Sequence, residues 1–222
     1  MTTIRPKWII FDAADTLLRP EPVVAEIYKR IASKHGVAVE VDDINDRFQP
    51  AMRKHFSEEI SDEQRDRRRW RQLVFDVLET DREVIFDELW DYFAQPSGWC
   101  LFDDVESTWC WLVANRFSLA IASNFDARLL NIIAAKPSIC GASHVFISSR
   151  LGFRKPSIGF FREIERQLDA SSDELMLVGD SKHADFDGAT AAGWQALHLD
   201  RSCSDPQLPI ISSLSAITTM LC

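Results

Sequence analysis

The sequence predicts an α/β fold: a doubly wound parallel sheet interrupted by one long α-helical insert. Three observations predict it. Four short, wholly apolar runs each stop at a polar residue, as strands buried on both faces of a parallel sheet do. Helix-length stretches alternate with these runs, the pattern of β-α-β winding. Between the first and second runs, from about Thr16 to Gly98, there is no convincing strand run, only successive helix-length patterns.

Taken in order, the first run is Trp8-Ile9-Ile10-Phe11, ending at Asp12. The insert follows, with helices expected over 22–35, 41–55, 62–79 and 82–93, and with Gly36 and Pro96-Ser97-Gly98 as breakers. A helix over 105–114 leads to Leu119-Ala120-Ile121-Ala122, which ends at Ser123. A helix over 127–135 leads to Val145-Phe146-Ile147, which ends at Ser148. In the next helix, over 158–168, Ile158, Phe161, Ile164 and Leu168 recur at helical spacing. The last run, Leu175-Met176-Leu177-Val178, ends at Gly179-Asp180 and precedes a helix over 184–192. Internal repeats and low-complexity tracts are absent from the sequence.

Composition narrows the function classes. The 222 residues exceed one average domain and fall short of two, so one domain with a sizeable insert is expected. With 46% hydrophobic and 27% charged residues the chain is an ordinary globular one. No stretch approaches the roughly eighteen apolar residues of a membrane span. Met-Thr-Thr-Ile-Arg-Pro-Lys leads into the first run without a signal-type core, so a cytoplasmic location is expected. A net charge of −9 repels nucleic-acid phosphates and anionic lipid. Neither nucleic acid nor membrane is an expected partner; a small anionic molecule is, bound by a monomer or homodimer. Cys100, Cys110, Cys140, Cys203 and Cys222 are odd in number and lack metal-ligand spacing, so reduced thiols are expected.

In open α/β sheets the ligand lies beyond the carboxyl ends of the strands, where loops diverge and helix N-termini point inward. Asp12, Ser123 with Asn124, and Asp180 occupy such ends, and Lys155 follows the third run after a short loop. A strand-end carboxylate such as Asp12, ionised and exposed, is a competent nucleophile. Phosphoryl chemistry also needs charge neutralised on the substrate, which Mg²⁺ does with few carboxylates; Asp12, Asp180 and Asp185 could form its shell. Ser123 and neighbouring amides could hold substrate oxygens, while Lys155 offsets charge on nucleophile and transferred group. Asp126 reads as a helix N-cap rather than a ligand. The run Arg65, Arg67, Arg68, Arg69, Arg71 reads as a helix face, from which Arg65, Arg68 or Arg69 could turn one guanidinium toward an anion. His35, His55 and His144 show no partner in sequence; His183 is a candidate substrate contact.

Phe11-Asp12-Ala13-Ala14-Asp15-Thr16-Leu17, Ser123-Asn124, Lys155-Pro156 and Gly179-Asp180-Ser181-Lys182-His183-Ala184-Asp185 together resemble, in order, the four motifs of the haloacid dehalogenase superfamily of hydrolases. The resemblance spans nearly the whole chain. It implies a Rossmann-like hydrolase core over 1–16 plus 98–222 and a type-one helical cap domain over 17–97. Thr16-Leu17-Leu18-Arg19-Pro20, the stretch from Tyr28 to Gly36, and Ser123-Asn124-Phe125-Asp126-Ala127-Arg128-Leu129 look like the REG-2-like branch. It further implies Asp12 as nucleophile, Mg²⁺ held by Asp12, Asp180, Asp185 and the Ala14 carbonyl, and Asn124, Ser123, Lys155 and His183 around the substrate.

One position departs from the pattern. The family's phosphatases carry, two residues after the nucleophile, an Asp that protonates the leaving alkoxide; here that residue is Ala14. Losing a positioned general acid costs about 10²–10⁴-fold in rate. Asp15 is adjacent, but a one-residue shift at a strand end turns a side chain to the other side. Relatives without that Asp include haloacid dehalogenases, which work without metal, and phosphonoacetaldehyde hydrolases, which need a cap lysine; Lys29, Lys34 and Lys54 are nominal candidates. Three functions stay open: a Mg²⁺-dependent phosphatase-like hydrolase of esters with good leaving groups, a hydrolase of a C–halogen or C–P bond, and a phosphate-binding protein without turnover.

Overall fold

The computed structural model describes residues 5–222; residues 1–4, on which the reading of the N-terminus partly rests, lie outside the described residues. Its main sheet, six-stranded among the described residues and parallel throughout, contains β1 (Trp8–Phe11), β4 (Ser118–Ser123), β5 (His144–Ile147), β6 (Leu175–Gly179), β7 (Gln195–Leu199) and β8 (Ile210–Ile211). The spatial order β5-β4-β1-β6-β7-β8 places β1 where the winding reverses. A crevice opens at such a reversal, beyond the strand ends.

Alternation along each strand builds two cores. Ile9, Phe11, Leu119, Ile121 and Val178 point to one face, against α5 (Val105–Ala114) and α6 (Arg128–Ala134). Ile10, Ala120, Ala122 and Leu177 point to the other, against α8 (Ile158–Leu168) and α9 (Gly188–Ala191). Both faces are covered, which is why the runs are continuously apolar. Two strands escaped the sequence reading. β7 is half-buried at alternate positions and β8 has two residues, so neither forms a continuous apolar run. The helix expected over 184–192 begins instead as a wide π-type turn, Lys182–Asp187, whose start Ser181 caps by accepting the Ala184 N–H at 3.1 Å.

The long insert contains α1 (Val24–Lys34), α2 (Val41–His55), α3 (Glu63–Leu78) and α4 (Glu83–Tyr92). Their apolar stripes close a separate core around Ile27, Ile31, Leu73, Val77 and Ile85. Asp62 caps α3 by accepting the Arg65 N–H at 2.7 Å, and Glu40 with Asp43 forms a capping box on α2. The segment does hold one strand, β2 (Leu18–Pro20), antiparallel to β3 (Trp99–Leu101). Three residues ending in proline are too short to show a period of two, and the pair forms the two-stranded stem from which the helices rise.

A short loop links this helical body back to the sheet. Ile60 bridges Phe153; the Ser61 N–H donates to Gly152 O at 3.1 Å, and the Arg154 N–H donates to Glu59 O at 2.8 Å. Behind it α7 (Ser148–Leu151) follows β5, while α10 (Ala216–Met220) packs on α5. No helix among the described residues is long and apolar enough to cross a membrane.

Candidate active site

The chain turns sharply after β1. The Asp12 N–H stays in the sheet, donating to Val178 O at 2.9 Å; the Leu17 and Leu18 N–H groups both return to Ala13 O, and Asp15 adopts a left-handed φ of 60°. Asp15 is thereby exposed, and Ala14 is half-buried beside the Asp12 carboxylate's loop. Thr16 is fully buried and ties the first motif to the fourth: its Oγ1 donates to Asp180 Oδ1 at 3.2 Å and accepts the Asp180 N–H at 3.1 Å.

Lys155 lies at the centre. Its Nζ donates to Asp12 Oδ1 at 2.6 Å, Asp185 Oδ1 at 2.5 Å and Ala122 O at 2.8 Å, so all three ammonium protons are engaged. Asn124 aims it with both ends of its amide: Nδ2 donates to Lys155 O at 2.9 Å and Oδ1 accepts the Lys155 N–H at 2.8 Å. Asp185 is seated by the Ser181 N–H on Oδ2 at 3.0 Å. Gly179 leaves it room, since a Cβ there would come within 2.3 Å of the Asp185 carboxyl. His198 Nε2, on β7, donates to the Asp180 carbonyl at 3.0 Å, since a carbonyl oxygen can only accept.

One carboxylate oxygen from each of Asp12, Asp180 and Asp185 lies within 4.8 Å of the others. Burial first, then repulsion from Asp185, pushes the Asp12 carboxyl up to about 6 against the pull of Lys155 and a hydrogen bond from Ser123. Burial and the charges of Asp12, Asp185 and Asp15 push Asp180 up to about 7. Burial draws Lys155 down, but Asp12 and Asp185 outweigh it and hold the ammonium above its ordinary range. One lysine thus faces three acids, an excess of negative charge that a divalent cation relieves. The donors are hard oxygens, at least one carboxylate oxygen per residue, in a set small enough to leave water positions: the fit is to Mg²⁺.

The structure places Asp12, Ser123, Lys155, Asp180 and Asp185 in one crevice. It corrects the expectation that Asp12 is exposed: only 7% of its surface is accessible, with Lys155, Asp185 and Ser123 gathered around its carboxylate. Asn124 spends its amide on Lys155 rather than facing outward, and His183 is exposed on the turn after β6. None of the arginine run reaches this cluster by hydrogen bond. Arg69 is buried and bonded to Asp66, Ile60 O and Glu58; Arg65 pairs with Asp62, Arg67 with Asp87, and Arg71 with Glu83. The histidines without visible partners have them: His35 with Glu88 and His55 with Asp76, each at 2.8 Å, while His144 packs on Trp8 and Phe146. Asp126 accepts the Arg128 N–H at 3.1 Å at the start of α6 and also holds the Arg128 guanidinium with both oxygens. Lys29, Lys34 and Lys54 pair with Glu40, Glu88 and Asp76 on the outside of the helical body. Thr16 and His198 were missed as site residues; Thr16 stands within the first motif, whereas His198 belongs to a strand that the sequence did not reveal.

Comparison with known proteins agrees with this geometry. The sequence model of a family described as haloacid dehalogenase-like hydrolase matches residues 6–193. A mouse protein, haloacid dehalogenase-like hydrolase domain-containing protein 3, is 26% identical over 98% of this chain and 94% of its own length. The fold is shared with the magnesium-bound HAD-hydrolase YfnB of Bacillus subtilis, at a TM-score of 0.73 and 18% identity over 98% of this chain and 99% of that one. It is also shared with the L-2-haloacid dehalogenase of Xanthobacter autotrophicus, at a TM-score of 0.74 and 14% identity over 97% and 98%.

Proposed function

The chain belongs to the haloacid dehalogenase-like hydrolases, and on that footing we propose that it is a Mg²⁺-dependent, phosphatase-like member acting on a small phosphorylated metabolite with a good leaving group. The observation that carries the reading is the cluster of three carboxylates around one fully engaged lysine, a charge balance suited to a cation and a phosphoryl group together. In this proposal Asp12, Asp180, the Ala14 carbonyl and, through water, Asp185 hold Mg²⁺, which supplies electrophilic polarisation of the phosphoryl oxygens. Asp185 is placed in the outer position because Lys155 and Ser181 already occupy its two oxygens.

Asp12 attacks phosphorus, and the bond to the leaving oxygen breaks as the aspartyl phosphate forms. Water then attacks that phosphorus and returns Asp12 as a carboxylate. Lys155 lowers the repulsion between Asp12 and the incoming anion, Ser123 binds a phosphoryl oxygen, and Asn124 acts as a positioning residue for Lys155. His183 is assigned to the rim, where it can meet the distal part of the substrate. The helical body over 17–97 serves as the cap, excluding water from Asp12. With Ala14 in the place of a proton donor, esters that leave as stabilised anions, aryl or acyl phosphates, are favoured over alkyl ones. Ala14 also suits halide release, which needs no proton; phosphonate cleavage is disfavoured by the pairing of Lys29, Lys34 and Lys54 on the outer surface. A release screen for phosphate and halide over aryl, acyl and alkyl phosphates and 2-haloacids, with Mg²⁺ and with chelator, tests this. Phosphate release that requires Mg²⁺ supports it; halide release indifferent to chelator overturns it.

A further inference from the structure

Where the helical body meets the strands that lead to it there is a cavity of about 90 Å³ whose walls are almost wholly apolar and mostly aromatic. Tyr28, Phe48, Trp70, Trp90 and Phe93 line it from the helices, and Phe125 lines it from the loop after β4. A void this size is several times the ~10–15 Å³ that one water needs, and apolar voids of this kind stay dry and accept apolar guests. Packed interiors do not keep such spaces between large side chains without a loss of dispersion contacts. Trp70, Trp90 and Phe125 are half-exposed, so the cavity has a mouth.

Its polar fittings are few. The Tyr28 hydroxyl has no hydrogen-bond partner among the described residues, although the ring is buried. Arg128 is the one charged wall, and its charge is already satisfied: Asp126 takes Nε and Nη2, Nη1 donates to Trp90 O at 3.3 Å, and the guanidinium lies 3.4 Å over the Trp90 ring. The site therefore selects a flat, apolar group carrying at most one hydrogen-bond acceptor for Tyr28, and not a second anion.

Two of its wall residues follow closely on the candidate active-site segments. Phe125 is two residues beyond Ser123, and Pro20 of the wall lies on the strand that follows the Asp12 turn. The loop after β4, which also carries Asn124, and the strand that follows the Asp12 turn each give this cavity a wall residue.

We propose that the cavity is the binding site for the leaving-group half of the substrate, an aromatic ring, so that the substrate class is an aryl phosphate. The assignment rests on the phosphatase-like reading above and agrees independently with Ala14, since a phenolate leaves without a proton donor. The test uses a non-hydrolysable pair. Phenylphosphonate and methylphosphonate are titrated calorimetrically into the Asp12→Asn protein with Mg²⁺, and phenol is titrated into the wild type with tryptophan fluorescence as readout, Trp70, Trp90 and Trp99 being in the wall. Expected are tenfold or tighter binding of the phenyl compound, a saturable fluorescence change with phenol, and loss of both on filling the cavity by Val74→Phe. Equal binding of the two phosphonates with no saturable phenol response overturns the proposal, and these wild-type and Asp12→Asn measurements stand even if Val74→Phe fails to fold. Phenyl preference together with no phosphate released from any ester upholds the cavity and sinks the hydrolase reading beneath it. Phosphate release from aryl and acyl esters without phenyl preference does the reverse.

Discussion

Asp12 and Ala14, two residues apart, divide the proposed reaction between them. Asp12 supplies the covalent step, and an amide in its place cannot form the acyl-type intermediate, so Asp12→Asn should leave less than a few per cent of any hydrolysis found. Higher residual activity would mean that water attacks directly. Ala14 marks the missing proton donor. Ala14→Asp should raise turnover of an alkyl phosphate about tenfold or more and that of an aryl phosphate much less, because only the alkoxide needs a proton. The rate ratio between the two esters is the measurement, and a rise in KM at constant kcat for both would show instead that the new charge only repels substrate. Asp15 is no ready substitute: its left-handed backbone turns it outward, where it adds to the negative field on Asp180.

Between elements, the contact that closes the crevice is electrostatic. Asp66 of α3 is buried, accepts from Ser61 Oγ at 2.5 Å and Arg69 at 2.9 Å, and lies 3.6 Å from Arg154, the neighbour of Lys155. Glu63 reaches across to Ser149 Oγ at 2.6 Å and the Ala127 N–H at 3.1 Å, and Glu59 to Ser157 Oγ at 2.8 Å. Burial pulls the Arg154 guanidinium down to about 10 despite Asp66, yet it stays charged at neutral pH. Removing the acid shared by two buried guanidiniums leaves Arg154 without a carboxylate and Arg69 with Glu58 alone, so Asp66→Ala should cost about 3–5 kcal/mol in denaturant unfolding. A loss below about 1 kcal/mol would show that water reaches these groups because the helical body stands away from the sheet in solution.

For the molecule as a whole, the acid cluster links stability to pH and metal. Asp12 at about 6 and Asp180 at about 7 lie above the carboxylate value of an unfolded chain. Across roughly pH 4–7 the folded state therefore holds more protons than the unfolded one, and these two groups make the metal-free protein lose stability as pH rises through that window. In the proposed site Mg²⁺ would bind the deprotonated cluster, so saturating Mg²⁺ should raise Tm more at pH 8 than at pH 5. Asp180→Asn should remove most of that response. A wild-type Tm indifferent to Mg²⁺ at pH 8 would end the metal assignment.

What the sequence determined by itself is the part of the protein written in local pattern: strands β1, β4, β5 and β6 as unbroken apolar runs, α2, α5 and α8 at their observed bounds, and the polar residues at strand ends that meet in one crevice. These are legible because burial on both faces and the helical period leave direct marks on neighbouring residues. Tertiary structure alone decided the rest. β7 and β8 are recognised only by their partners in the sheet, and with them His198 reaches Asp180. Asp12 meets Lys155 from far along the chain, Arg69 finds Ile60 O and Glu58 on the preceding loop, and the partners of His35 and His55 come from other helices. The cavity draws its walls from five helices, two strands and a loop, and no spacing rule joins side chains that only packing brings together.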